Sequence, residues 1–375
     1  MNKTLLFLTG AAAIMAAISC NKPQDAVLPS GTASGAITIN IDIPNDRPSK
    51  SAVGEMKDSQ INKIQVFVFD SAGKLETDYY EAISPVATTN YNVTMATFTG
   101  AKTVYAILNH NRIALRPKVG TLSNLETMLS DLSDNSVTNL VMSGKNEITV
   151  TEYDKNKNAA AVPQTLNIYV KRLASQILVD KVTVDFTGTE LEGGSFSISQ
   201  IYLKNVVGKA PLGVQGLTAT SNSNVLPMVL NDTYHNTADN WYNKNTYEAG
   251  CPSVIYDNAS IAATSVSGTS TALGRVLFAY PNKTNADSHA ESFGPRHTRL
   301  VIKAHVKKDP VDEDTYYVLD LPVLTANNIY KITDFKITML GKSDDNKDDN
   351  LQAGRITPTI TVDPWTGTTN LSYEF

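Results

Sequence analysis

Residues 37–43 read Ile37-Thr38-Ile39-Asn40-Ile41-Asp42-Ile43, with isoleucine at every second place. Period-two alternation puts all four isoleucines on one face of a β-strand and the polar residues on the other. No helix can collect that pattern on one side. A second apolar run follows at Ile61–Phe69, INKIQVFVF, in which Ile64, Val66 and Val68 or their odd-numbered neighbours must face a core. Between the runs, Pro44-Asn45-Asp46-Arg47-Pro48-Ser49-Lys50-Ser51 holds turn formers and charge but no large apolar side chain. Such a stretch belongs on the surface and is open to proteases. The pattern is read as a first strand that can detach, tethered by a cleavable loop; an ordinary first strand followed by a long loop fits the same residues.

The N-terminus supplies an address. Lys3 gives a positive start, Leu5–Ile18 an apolar stretch, and Ala17-Ile18-Ser19 small residues just before Cys20. This is a secretory signal over residues 1–19. A cysteine at the cleavage point is similar to the bacterial lipoprotein signal, in which Cys20 is acylated, and Asn21 is compatible with passage to the outer membrane. Residues 20–35 then form a lipidated, flexible tether. The remaining cysteine is Cys251, so an acylated Cys20 leaves no pair for an intrachain disulfide, and stability must come from packing.

The 375 residues exceed one typical core, and two domains are expected. A net charge of −5 argues against nucleic acid, which needs a basic face. Strand-like runs at Tyr91–Phe98 and Thr103–Asn109 flank Gly100, which predicts a hairpin. Over Thr121–Leu132 the period changes, with Leu122, Leu125, Met128, Leu129 and Leu132 at helical spacing. Thr121 or Ser123 can cap that helix, and Glu126 stands in capping-box register with Ser123. Short strands are expected at Leu140–Met142 and Ile148–Val150. In the run 166–186 the apolar phase is even up to Val170, odd from Leu173 and even again from Val182. A strand changes phase only through a bulge or break, and the slip at Lys171-Arg172 is read as the passage from a domain over 36–171 to one over 172–375. Further strands are expected at Phe196–Val206, Val276–Tyr280, Leu300–Val306, Tyr316–Leu321 and Ile329–Leu340, with loose surface loops between Gly208 and Gly274. The tail 356–375 is strand-like again. Scarce helix and many strands with short turns predict an all-β protein with one short helix, built of β-sandwiches.

Catalytic patterns are scarce. His110, His235, His289, His297 and His305 show no paired metal spacing, and there is no G-x-S-x-G, Walker A or G-x-G-x-x-G motif. The run 344–350, DDNKDDN, has calcium-friendly oxygens without an EF-hand's central Gly and closing Glu. No enzyme activity, cofactor or metal is expected.

Taken together, the signal ending Cys20-Asn21-Lys22, the isolated strand and basic loop at 37–51, TVYAILN (103–109), NLVMSG (139–144), IYVKRLASQILVDKVTV (168–184), IYLKNV (201–206), TYYVLDLPV (315–323), NNIYKITDFKITMLGK (327–342) and ITPTITVDPWTG (356–367) resemble the fimbrillins, major fimbrial subunits of type V pili of Gram-negative bacteria. The resemblance implies two transthyretin-like β-sandwich domains in tandem and export as an outer-membrane lipoprotein. It implies cleavage by an arginine-specific or trypsin-like protease in the 44–51 loop, which releases the first strand. A neighbouring subunit's C-terminal strand then fills the groove, giving a self-polymer that meets other fimbrial subunits and, at the cell surface, an unnamed host ligand. Arg47 stands at the family's cleavage position; Pro48 after it hinders most such proteases, and Lys50 is the second candidate. The expected donor residues are Ile360, Val362, Leu371, Tyr373 and Phe375. Ile37, Ile39, Ile41 and Ile43 at ~1.5–3 kcal/mol each give up to ~6–12 kcal/mol of gross burial, an upper bound before ordering costs.

Two further readings compete with a stalk subunit. One is an accessory or tip adhesin with a glycan-binding face, served by Trp241 and the tyrosines of 208–274. The other is a surface hydrolase, disfavoured by the missing motifs. A tip subunit should lack a free C-terminal donor strand, and this chain ends in alternating Leu371, Tyr373 and Phe375.

Overall fold

A computed structural model describes residues 35–44, 60–88, 90–114, 119–153, 162–213, 241–242, 252–257, 261–265, 268–282, 297–343, 356–364 and 371–374. Its first part runs β1 (Gly35–Asp42), β2 (Gln60–Asp70), β3 (Leu75–Thr88), β4 (Asn90–Thr97), β5 (Gly100–Leu108), α1 (Leu122–Thr127), β6 (Leu129–Asp131), β7 (Met142–Val150), β8 (Gln164–Tyr169) and β9 (Lys171–Arg172). These build a three-stranded sheet in the order β4-β1-β8 and a five-stranded sheet in the order β3-β2-β5-β7-β9.

The second part runs β10 (Ser175–Val184), β11 (Ser195–Lys204), β12 (Val206–Val207), β13 (Lys209–Pro211), β14 (Trp241–Tyr242), β15 (Tyr256–Asp257), β16 (Ile261–Ser265), β17 (Thr269–Ala279), β18 (Arg299–Lys308), β19 (Val311–Asp320), β20 (Asn328–Ile337), β21 (Ile356–Pro364) and β22 (Leu371–Glu374). One sheet is ordered β17-β10-β20-β21-β22, the other β15-β11-β18-β19 with β16 also on β11. The protein is nearly all β, two sandwiches in tandem.

The two sandwiches repeat one plan. β1 lies between antiparallel β4 and parallel β8; β10 lies between antiparallel β17 and parallel β20. β2 pairs β3 and β5, and β5 pairs β7; β11 pairs β15 and β18, and β18 pairs β19. After β8 the chain crosses to pair β7 through β9, and after β20 it crosses to bridge Tyr316 through Lys342. At Lys171-Arg172, where the apolar phase slips, the chain passes between the two sheets of the first sandwich, and Arg172 still pairs with Met142 there. Val170 still bonds Asp42 of the first sheet, whereas Leu173 bonds Val141 beside the second.

Three expectations need correction. Tyr91–Phe98 and Thr103–Asn109 are not a hairpin: β4 pairs β1, and β5 pairs β2 and β7, so the link through Gly100 (φ 107°) passes between sheets. Alternation shows that each strand has one buried face but not which neighbour it takes. The helix stops at Thr127 rather than Leu132, with Thr121 as its cap and no box from Glu126. After Met128, Leu129–Asp131 become β6 because β13 from the other half pairs with them. In place of separate strands at Leu140–Met142 and Ile148–Val150 there is one strand, β7, from Met142 to Val150, and Leu140 and Val141 precede it.

On β2 both alternatives hold, since Ile64 to Phe69 are all buried. Gln65 and Phe67 share a face with Tyr105. That face is covered from outside, Gln65 bonding the Ile113 backbone in both directions and Tyr105 donating to the Leu212 carbonyl. Leu212 belongs to an arm that follows β11 and ties the halves together. Gly213 lies so close to Glu126 that an added Cβ would meet its carbonyl at 2.7 Å. Tyr280, fully buried, exchanges hydrogen bonds with Ser130 and Asn135 across the same seam.

Candidate functional site

The site is the place that β1 occupies. Ile37, Ile39 and Ile41 are 0% exposed and Ile43 3%. Ile37 stands opposite Met95, Ile39 between Val93 and Leu166, and Ile41 beside Ile168. All four flanking residues are buried. The slot is therefore an apolar trough floored by both sandwich layers, and strand pairing on both sides satisfies the backbone. Removing β1 would bare two strand edges and a row of buried side chains at once.

The outer face of the same three strands is polar. Thr38 lies in register with Thr94 and Thr165, Asn40 with Asn92 and Asn167, and Asp42 with Asn90 and Tyr169. The Thr38 and Thr94 hydroxyls are 3.0 Å apart, and the Asn40 amide donates to Asn167 at 3.0 Å.

Each end of the slot is closed by a carboxylate. At the Gly35 end, Thr97 and Lys102 both donate to Glu76, at 2.9 and 2.6 Å, with Thr97 and Lys102 buried. At the other end Tyr91, the partner of Ile41, donates to Glu81 at 2.6 Å, and Tyr79 donates to the same carboxylate. Burial first, then the hydrogen bond to Glu81, pushes Tyr91 up to about 12 and raises Tyr79 as well. Gly144 of β7 lets β8 lie close, since a Cβ there would meet Ile168 and the Tyr169 carbonyl at 2.8 Å.

This arrangement holds a strand. β1 is held by backbone pairing to β4 and β8 and by its buried isoleucine face.

Residues 35–193 match the family model described as major fimbrial subunit protein (FimA). Over those residues the chain is similar to the fimbrillins. It is 28% identical over 232 residues to a protein of Parabacteroides distasonis named as a fimbrium tip subunit, Fim1C, covering 55% of this chain and 58% of that one. The match thus spans less than two thirds of that curated relative. A crystal structure of a fimbrilin from Porphyromonas gingivalis superposes with TM-score 0.60 at 16% identity, covering 89% of this chain and 99% of the other. A protein from Bacteroides eggerthii named as a cell adhesion protein superposes with TM-score 0.55 at 16% identity, over 89% and 98%. The family model covers the whole of the β1 slot.

Of the residues singled out in the sequence, the four isoleucines come together on one buried face. Ile360 and Val362 lie in β21, which pairs antiparallel with β20, and Leu371 and Tyr373 lie in β22, which pairs with β21 at the sheet edge. Cys20, Arg47, Lys50 and Phe375 lie outside the described residues. Trp241 pairs with Val207 in the short β12–β14 ladder. Alternation alone did not single out Gly35, the Glu76 and Glu81 closures, or the outer ladder. The nearest signal for the ladder was the polar set Thr38 and Asn40 inside the isoleucine run.

Proposed function

We propose that this fimbrillin relative is a structural subunit of a surface fimbria, exported as a lipoprotein through Cys20 and polymerised by strand exchange. In this reading a protease cuts the 44–51 loop at Arg47 or Lys50, β1 leaves its slot, and the C-terminal region of another copy takes its place. The observation that carries the reading is that β1 is a central strand, buried through Ile37, Ile39 and Ile41 with Ile43 buried just after it, yet followed in sequence by a polar, basic loop. The C-terminal sequence supports it. Gly354-Arg355-Ile356-Thr357 repeats the order Gly35-Ala36-Ile37-Thr38, and at the same offset Ile360 answers Ile41 and Val362 answers Ile43. One departure is Pro358 at the place of Ile39, which removes a ladder donor. Residues 36–171 and 172–375 serve as the accepting and donating domains, and the subunits take part in adhesion.

A second reading, an accessory or tip subunit with an adhesive face, is favoured by the name of the Parabacteroides relative. The pairing of β21 and β22 with their own sheet favours it too. Replacing both Arg47 and Lys50 by Ala separates the readings. A stalk subunit so changed folds, resists trypsin in the loop and stays monomeric, while the unchanged protein gives ladders on gels run without boiling. Ladders from the double variant would overturn the cleavage step.

A further inference from the structure

The isoleucine repeat that fills the slot is symmetric under a shift of two residues. Moving β1 by two in either direction still offers isoleucines to most inward places, so apolar burial by itself leaves the register open. The end at Gly35 breaks that symmetry. A Cβ built there would meet Val150 Cγ1 at 2.4 Å and the Thr151 carbonyl at 3.3 Å, and Val150 is buried with a branched side chain. A shift one way brings Ile37 onto Val150. A shift the other way brings Ala33 there and leaves Gly35 where Ile37 should fill the trough. Both slips also separate the Thr38 and Thr94 hydroxyls and the Asn40–Asn167 pair.

We infer that Gly35 is the register stop of this slot, read against Val150, and that Thr38 and Asn40 check the same register on the outer face. The slot selects a strand with a glycine two residues before its first inward isoleucine. For the incoming strand this deepens the strand-exchange reading and rests on it; for β1 it stands alone. The tail meets the rule in sequence, with Gly354 two residues before Ile356.

The test is intramolecular and uses the uncut full chain with Cys20 and Cys251 replaced by Ser. Three reporter chains carry Thr94→Cys with Ala36→Cys, Thr38→Cys or Asn40→Cys, and disulfide yield under mild oxidation reads the register. With Gly35 present, the 38–94 bond dominates. Gly35→Val lowers its yield relative to the other two by roughly ten- to a hundredfold, the range expected of overpacking. Adding Val150→Ala restores it. Should Gly35→Val fail to fold, Gly35→Ala with and without Val150→Ala reads the same way. An unchanged distribution in the glycine variants, or no rescue by Val150→Ala, overturns the inference. Loss of polymerisation with the 38–94 register intact would count against strand exchange alone.

Discussion

At the scale of single residues, the slot's isoleucines are joined by polar groups that close its ends. Glu81 accepts from Tyr79 and Tyr91 beside the end of β1, and both phenols are held above the ordinary tyrosine value. A raised folded pKa means that the folded state keeps a proton the unfolded chain gives up near pH 10. The contribution is fully present below that value and is lost as pH rises through about 12 for Tyr91. Urea midpoints should therefore fall between pH 9 and pH 11 in the unchanged protein, and Tyr91→Phe should show a shallower fall; equal slopes would remove Tyr91 from the account. The isoleucines were legible in sequence because period two is a one-residue signal. The closures were not, because Thr97 and Lys102 lie 21 and 26 residues from Glu76 and Tyr91 lies 10 from Glu81, and only pairing brings them near.

Among the elements, strand existence was readable and strand partnership was not. β1, β2, β8 and β20 stand where alternation put them, yet β4 and β5, neighbours in sequence, belong to different sheets. The helix was legible only until tertiary pairing interrupted it: five apolar residues at helical spacing predict a helix to Leu132, and pairing by β13 turns Leu129–Asp131 into a strand. β22 is the case with functional weight. Among the described residues it pairs with β21 alone, through four register positions at the edge of its sheet. Deleting residues 368–375 should move the melting midpoint by no more than about 2–4 °C, the shift expected for about 1 kcal/mol in a sandwich of this size. The same deletion should abolish ladders after protease treatment. A large loss of stability would mark β22 as part of its own domain's fold and favour the tip reading.

For the whole molecule, the repeated plan shows what sets the first sandwich apart. β10 occupies in the second sandwich the place that β1 occupies in the first, but β10 is flanked in the chain by β9 and β11, both paired. Among the described residues, the next strand after β1 is β2, which begins at Gln60. The hydrogen bonds from Tyr105 to Leu212 and between Ser130 and Tyr280 join the halves, and only Leu173 and Ala174 separate β9 from β10. Anchoring is a separate claim at this scale: Cys20→Ala should stop labelling by a fatty-acid analogue and block surface display, and unchanged labelling would remove the lipoprotein step. The central claim is that β1 is exchanged for a strand of another copy. Intact-mass and N-terminal analysis of subunits sheared from cell-surface filaments tests it most directly. The account predicts subunits that begin at Pro48 or Ser51 and lack residues 35–43; filament subunits that begin anywhere from residue 20 to 36 and retain those isoleucines would contradict it.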